Sequence, residues 1–292
     1  MKYKITHITK YIYESPVRVC QNLVLQTPRD DWRIRTLSHH VRFRPTPQIH
    51  NRRRDFFGNT VHAFSIEESH RQLTVTATSR VSVRPRPAFV PESTQDWQQV
   101  LADVQQQRDP NWLEASQFQF DSRRIRRADE FAQYAAKSFT ANCPIAQALI
   151  HLTHRIRQDF TYDPGATLVN TSTEEAFQLR RGVCQDFAQI QIACLRSLSL
   201  PARYVSGYLR TVPPEGKPRL VGCDQSHAWV SVYCGAELGW LDVDPTNDCL
   251  CNLDHIPVAV GRDYQDVVPL RGVFLGGGQH TLTVSVDVAP VE

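Results

Sequence analysis

Residues 181–208, RGVCQDFAQIQIACLRSLSLPARYVSGY, decide how the rest of the chain is read. The Arg-Gly pair predicts a tight turn, and Cys184 stands where a helix should begin. Asp186 falls in the first turn. Phe187, Ile190, Ile192, Cys194, Leu195 and Leu198 follow at near-helical spacing, as on a helix packed into a core. Leu200-Pro201 ends that helix, and Arg203–Tyr208 reads as a strand. A thiol at the amino end of a buried helix meets the positive end of the helix dipole and several free backbone N–H groups. Both favour the thiolate, which is the nucleophilic form. Most free cysteines are simply small apolar core residues, so Cys184 takes its meaning from what lies downstream.

Downstream, Ser226–Tyr233 alternates as a strand with His227 near its start. A turn through Gly235–Gly239 leads into Trp240–Asp244, a second strand stopped by Pro245. Pairing the two as a hairpin brings His227 and Asp244 to the same end. With Cys184 they would form a thiol, imidazole and carboxylate in hydrogen-bond series, the nucleophile, base and orienter of covalent acyl transfer. Asp242 shares the strand face and competes with Asp244 for the third role. Asp244 is preferred because it lies nearer the strand end. Singly, His227 reads as a structural histidine and Asp244 as a turn former before proline.

The three motifs GVCQDFAQIQIACLRSLSLPARYVSGYL, SHAWVSVY and GWLDVDPTND together resemble the core of bacterial transglutaminase-like proteins, relatives of the papain-type cysteine peptidases. DFFGNTVHAFSIEESHRQLTV is similar to the β-rich domain that precedes this core in that group. VAVGRDYQDVVPLRGVFLGGGQHTLTVSV is similar to its carboxy-terminal segment. The resemblance implies an α+β protein: an N-terminal β-sandwich-like domain, then a papain-like core whose Cys-bearing helix packs on an antiparallel sheet. It implies that Cys184 attacks, His227 exchanges protons and Asp244, the aspartate followed by Pro-Thr, orients the ring. Tyr162 is a further candidate, as a side-chain donor to the oxyanion, against its reading as a core-edge aromatic.

Around this centre the chain divides at 1–88, 89–141, 142–260 and 261–292: a β-rich domain, a connector, the catalytic core and a strand-rich tail. In the first, alternating runs begin at Tyr3, Val17, Leu23, Val41, Val61, Leu73 and Val81, with turns at Pro28–Asp31, Pro45–Pro47 and Asp55–Asn59. Arg52–Arg54 reads as a solvated hairpin arm. His39, His40, His50, His62 and His70 show no metal-ligand spacing. RPRPAFVP (84–91) is a proline-punctuated linker. Thr94 or Ser93 is expected to cap a helix carrying Trp97, Val100, Leu101 and Val104. Phe131–Phe139 and Pro144–Phe160 are further helices, and Ser172–Glu175 opens a short capped one. Ser122–Arg127 holds four arginines, a solvated connector or a dock for an acidic peptide. Gly261–Tyr264 is expected to brace the active-site hairpin, and Gly276–Gly278 to turn a hairpin.

A chain of 292 residues with 41% hydrophobic content can bury a large core. A net charge of +3 argues against nucleic-acid and membrane partners. No apolar run approaches the roughly 20 residues that span a bilayer. Residues 1–20 show no secretory pattern, and eight scattered cysteines read as reduced thiols, which together predict a cytoplasmic location. No cofactor is expected. Cys249 and Cys251 with His255, Cys223 and Cys234 make only a weak zinc set, and there is no calcium or phosphate loop. The expected function is cysteine-dependent attack on amide bonds of a peptide or protein substrate, with the acyl group passed to water or to an amine. The reading from another class is a non-catalytic binding module that kept the fold.

Overall fold

The computed structural model describes residues 1–211 and 225–291. The alternating runs of the first 24 residues belong to one strand, β1 (Lys2–Val24). Four more follow: β2 (Ile34–Arg44), β3 (Ile49–Arg54), β4 (Thr60–Ile66) and β5 (His70–Val83). The first half of β1 pairs with β5, and its last residues, Cys20–Val24, pair with β4. The register shifts between Ile12 and Val17, around Pro16, which has no N–H for the ladder. β2 lies outside β5 and β3 outside β4, so β1 is shared by two arrays. These pack on each other through Phe43 of β2 and Phe64 of β4, with ring centroids 4.4 Å apart. Val17, Cys20, Leu73 and Val75 fill the space between them. β3 is exposed along its whole length, and its Arg52–Arg54 run keeps that edge charged against stray pairing.

The linker after β5 is anchored. Arg86 donates to the Trp240 carbonyl and lies over the Trp32 ring. The helices are α1 (Trp97–Gln105), α2 (Trp112–Ser116), α3 (Asp129–Ala136) and α4 (Ile145–Asp159). α1 starts from Asp96, and neither Ser93 nor Thr94 caps it: Thr94 Oγ1 donates to the Pro91 carbonyl and accepts from the Ala146 N–H. Val100, Val104, Phe131, Leu149, Leu152 and Ile156 join one core with the residues that follow, so the expected connector belongs to the core's packing.

A two-residue strand β6 (Thr161–Tyr162), helix α5 (Thr173–Leu179) and strand β7 (Arg181–Gly182) lead into α6 (Cys184–Ser197). Ser172 caps α5 as its sequence predicts, its Oγ accepting from the Glu175 N–H. α6 is buried from Asp186 through Arg196, which is why its apolar stripe is broad. The buried Arg196 guanidinium donates to the carbonyls of Phe118, Ala202 and Arg262. An ion can be buried when its donors are this fully matched. The segment after Gly261 therefore braces α6 through Arg196, instead of the hairpin it was expected to support.

Strands β8 (Ala202–Leu209), β9 (Gln225–Tyr233), β10 (Trp240–Asp244), β11 (Cys249–Leu250) and β12 (His255–Gly261) form an antiparallel sheet in the order β11-β10-β9-β8-β12. Gly207 of β8 sits opposite His227 of β9. A Cβ there would lie 2.3 Å from the Trp229 ring and 2.4 Å from the Ile256 carbonyl, so no other residue fits. The last strands, β13 (Leu270–Gly276) and β14 (His280–Val291), turn at Gly276–Gly278. Both pair with β1. The segment expected as a separate tail thus completes the amino-terminal sheet, which both chain ends build.

Buried histidines make this assembly sensitive to acid. His7 of β1 bonds Tyr208 Oη of β8 across the two halves, and Thr27 Oγ1 bridges His39 and His62. Burial pushes all three imidazoles down to about 4, and neighbouring cationic groups add to this at His39 and His62. Between that value and the ordinary 6.5 the unfolded chain binds the extra protons, so stability falls as the pH drops through this window. Urea midpoints should decline steadily as the pH falls from 6.5 to 4. His39→Gln combined with His62→Gln should flatten the slope.

Candidate active site

The start of α6 is held by short-range bonds. The turn falls one residue earlier than the Arg-Gly pair suggested, at Arg180 (φ 54), and Arg181–Gly182 instead pairs in parallel with Thr161–Tyr162. Asp186 Oδ2 reaches back to accept the Val183 N–H at 2.9 Å and the Thr167 hydroxyl at 2.7 Å. Valine has no side-chain acceptor with which to return the bond, so only this half of a capping box forms. A Cβ on Gly182 would stand 2.5 Å from the same carboxylate oxygen, so the glycine is what lets Asp186 close the turn.

This places Cys184 half-buried at the helix tip, near enough to His227 to help hold the ring's proton. His227 Nε2 lies 2.7 Å from Asp244 Oδ2, which leaves Nδ1 for the sulfur. Asp244 is wholly buried. Its Oδ1 accepts the N–H groups of Thr246 (2.9 Å) and Asn247 (3.2 Å), so it does form the turn before proline. Its Oδ2 faces His227, His255 Nε2 at 3.0 Å and Asn247 Nδ2 at 2.6 Å. The rival Asp242 occupies the same strand face but accepts from Trp229 Nε1 at 3.2 Å.

The electrostatics follow from burial and pairing. Burial alone would strip the His227 proton, but the hydrogen bonds and charges of Asp244 and Cys184 outweigh it and raise the ring to about 10. Burial likewise opposes ionisation of Asp244, yet the bonds from His227 and His255 hold it far below the usual carboxylate range. Tyr162 stands beside the helix start, 6.5 Å ring to ring from Phe187 and 41% exposed. Burial, then the neighbouring Cys184, push its phenol upward.

Sequence reasoning did not find His255 and Asn247 as partners of Asp244. Asn247 had a local signal, since Asp-Pro-Thr-Asn suits a turn closed by side chains. His255 had none: it begins β12, on the far edge of the sheet from β11, and reaches Asp244 only through the chain's return. Among the described residues, His227, Asp244 and His255 are the sole His, Cys, Asp or Glu group close enough to share a metal ion. Both rings direct Nε2 at one carboxylate oxygen, which fits a hydrogen-bond network better than a metal centre. The weak zinc set does not assemble: Cys251 packs with Trp229 and Val205, and His255 is committed to Asp244. Cys223 lies outside the described residues. None of the described helices is long and apolar enough to cross a membrane.

The fold and this site define a transglutaminase-like protein, and the chain belongs to the transglutaminase-like superfamily. Residues 3–82 match the family of the bacterial transglutaminase-like N-terminal region, and residues 129–245 match the transglutaminase-like superfamily core. An uncharacterized protein of Mycobacterium tuberculosis is 40% identical over 298 residues, covering 100% of this chain and 93% of that one. A protein-glutamine gamma-glutamyltransferase of Pseudomonas aeruginosa is 39% identical over 88 residues, covering 30% of this chain and 13% of that one. A crystal structure from Cytophaga hutchinsonii, described as that of a candidate cysteine protease, superposes with a TM-score of 0.76 at 23% identity. It covers 100% of this chain and 91% of that one, and shares the fold.

Proposed function

We propose that the protein is a cysteine-dependent amidase or peptidase acting on peptides or proteins, with Cys184 as nucleophile, His227 as acid and base and Asp244 as orienter. The observation that carries this reading is the buried His227–Asp244 pair, 2.7 Å apart, with Cys184 beside it at the start of α6. In this mechanism the Cys184 thiolate attacks the amide carbonyl, and the electron pair moves onto oxygen. Backbone N–H groups at the helix start, with the Tyr162 hydroxyl, receive that charge; removing one such donor typically costs about 3 kcal/mol of barrier. The C–N bond then breaks as His227 protonates the leaving amine, giving a thioester. Water, deprotonated by His227, attacks the thioester and releases the carboxylic acid and the thiolate. Asp244 stabilises the imidazolium and fixes which nitrogen faces the sulfur.

Water is favoured as the acceptor because the site is open: Tyr162, Leu168 and Val169 beside the helix start are all exposed. Transfer to an amine is the second reading, supported by the partial match to a protein-glutamine gamma-glutamyltransferase. A binding module has no need of the three chemical groups in series. The described cysteines are all free thiols, in keeping with a reducing, cytoplasmic setting. Casein supplied with a labelled primary amine separates the outcomes. Hydrolysis should yield glutamate residues and ammonia, or cleaved chain, and little label, whereas label on casein at rates matching acyl-enzyme turnover would favour transfer. No acyl-Cys184 by mass spectrometry with any protein substrate would count against both.

A further inference from the structure

The arginine-rich segment 122–127 lies next to the proposed nucleophile. Arg123, Arg124 and Arg126 line an open cavity of about 600 Å³, with Thr171, Glu174 and Gln265 on its other sides. Two contacts tie it to the active site. The Val169 carbonyl accepts from both Arg124 Nη1 and Gln185 Nε2, the residue after Cys184. The Arg124 guanidinium also lies 5.9 Å over the Tyr264 ring.

The cavity's charge is unbalanced. Arg127 is paired with Asp121 at 2.9 Å and Asp121 also feels the charge of Arg126, but among the described residues neither Arg123 nor Arg126 makes a hydrogen bond or ion pair. Arg124 Nε is buried and also lacks an acceptor. Glu174 is the one carboxylate in the lining, so three cations face a single anion. Forked guanidinium donors of this kind suit a carboxylate. Exposed Leu168 and Val169 lie between this cavity and the helix start and offer apolar contact to a neighbouring residue.

We infer that this cavity is a subsite for an acidic side chain of the peptide substrate, so that the enzyme prefers Glu or Asp within a few residues of the attacked carbonyl. The inference rests on Cys184 being the nucleophile. Two series of electrophilic peptides test it: chloromethyl ketones, which extend to the acyl side, and N-chloroacetyl peptides, which extend to the other. Each carries Glu or Gln one to four residues from the reactive carbon, and inactivation is followed as Cys184 alkylation by mass spectrometry. At least one position should show about a ten-fold Glu preference at low salt, shrinking at high salt as screening predicts. Arg123→Gln combined with Arg126→Gln, both at the surface, should bring the ratio near one while iodoacetamide labels Cys184 as before. Rapid iodoacetamide labelling with no Glu preference at any position would overturn the subsite alone. Iodoacetamide labelling of Cys184 no faster than of Cys143 would remove the nucleophile, and the subsite with it.

Discussion

Cys184→Ala should abolish turnover, by about 10⁴- to 10⁶-fold in kcat, in a protein that remains folded. The nucleophile supplies the bond on which the proposed mechanism depends, and alanine offers none. Little is lost structurally: the side chain is half-buried at a helix tip, and alanine is a good helix former. The helix start is held instead by Asp186, Val183 and Thr167, which the substitution does not touch. 4-Nitrophenyl acetate, an activated ester, is a suitable probe because a burst of nitrophenol reports acylation without knowledge of the natural substrate. The burst should vanish in Cys184→Ala and fall comparably in His227→Ala, with thermal midpoints within a few degrees of the parent for the cysteine variant. A burst surviving in Cys184→Ala would transfer the chemistry to another residue.

Asp244→Asn should lower kcat by about 10⁴-fold, since an uncharged amide neither fixes the useful tautomer nor stabilises the imidazolium. Unlike the cysteine change, it should also destabilise the fold. Asp244 is wholly buried and gathers His227, His255, Asn247 and two backbone N–H groups. Breaking a buried pair of this kind costs about 3–5 kcal/mol. The sign with pH follows from direction: a carboxylate held below its usual range stabilises above its unfolded pKa, about 3.9, and that contribution is lost as the pH falls further. His227 has the opposite sense. Raised to about 10, it stabilises fully below 6.5 and loses that contribution as the pH rises towards 10. Asp244→Asn should therefore draw the alkaline limb of the denaturation profile to lower pH. His255→Gln, which keeps a donor, should leave kcat within about ten-fold. An alkaline limb unmoved in Asp244→Asn would mean that the aspartate does not hold the His227 proton.

The sequence by itself determined what depends on neighbours along the chain. The α6 stripe, the Ser172 cap, the 226–244 hairpin and the glycine turn at 276–278 follow from backbone sterics and the 3.6- and 2-residue periods, which act over a few residues. The order Cys184, His227, Asp244 was legible for the same reason: each sits at the end of a locally recognisable element. Tertiary structure decided which ends meet. That Cys184 meets His227, that His255 returns to Asp244, and that β13 and β14 close on β1 depend on burial and pairing between distant segments. Spacing along the chain carries no record of such contacts, because loop closure costs only slowly more with length and excludes few partners. Arg196 shows the same division: its sequence position says helix, and only the packed fold supplies the three carbonyls that let its charge be buried.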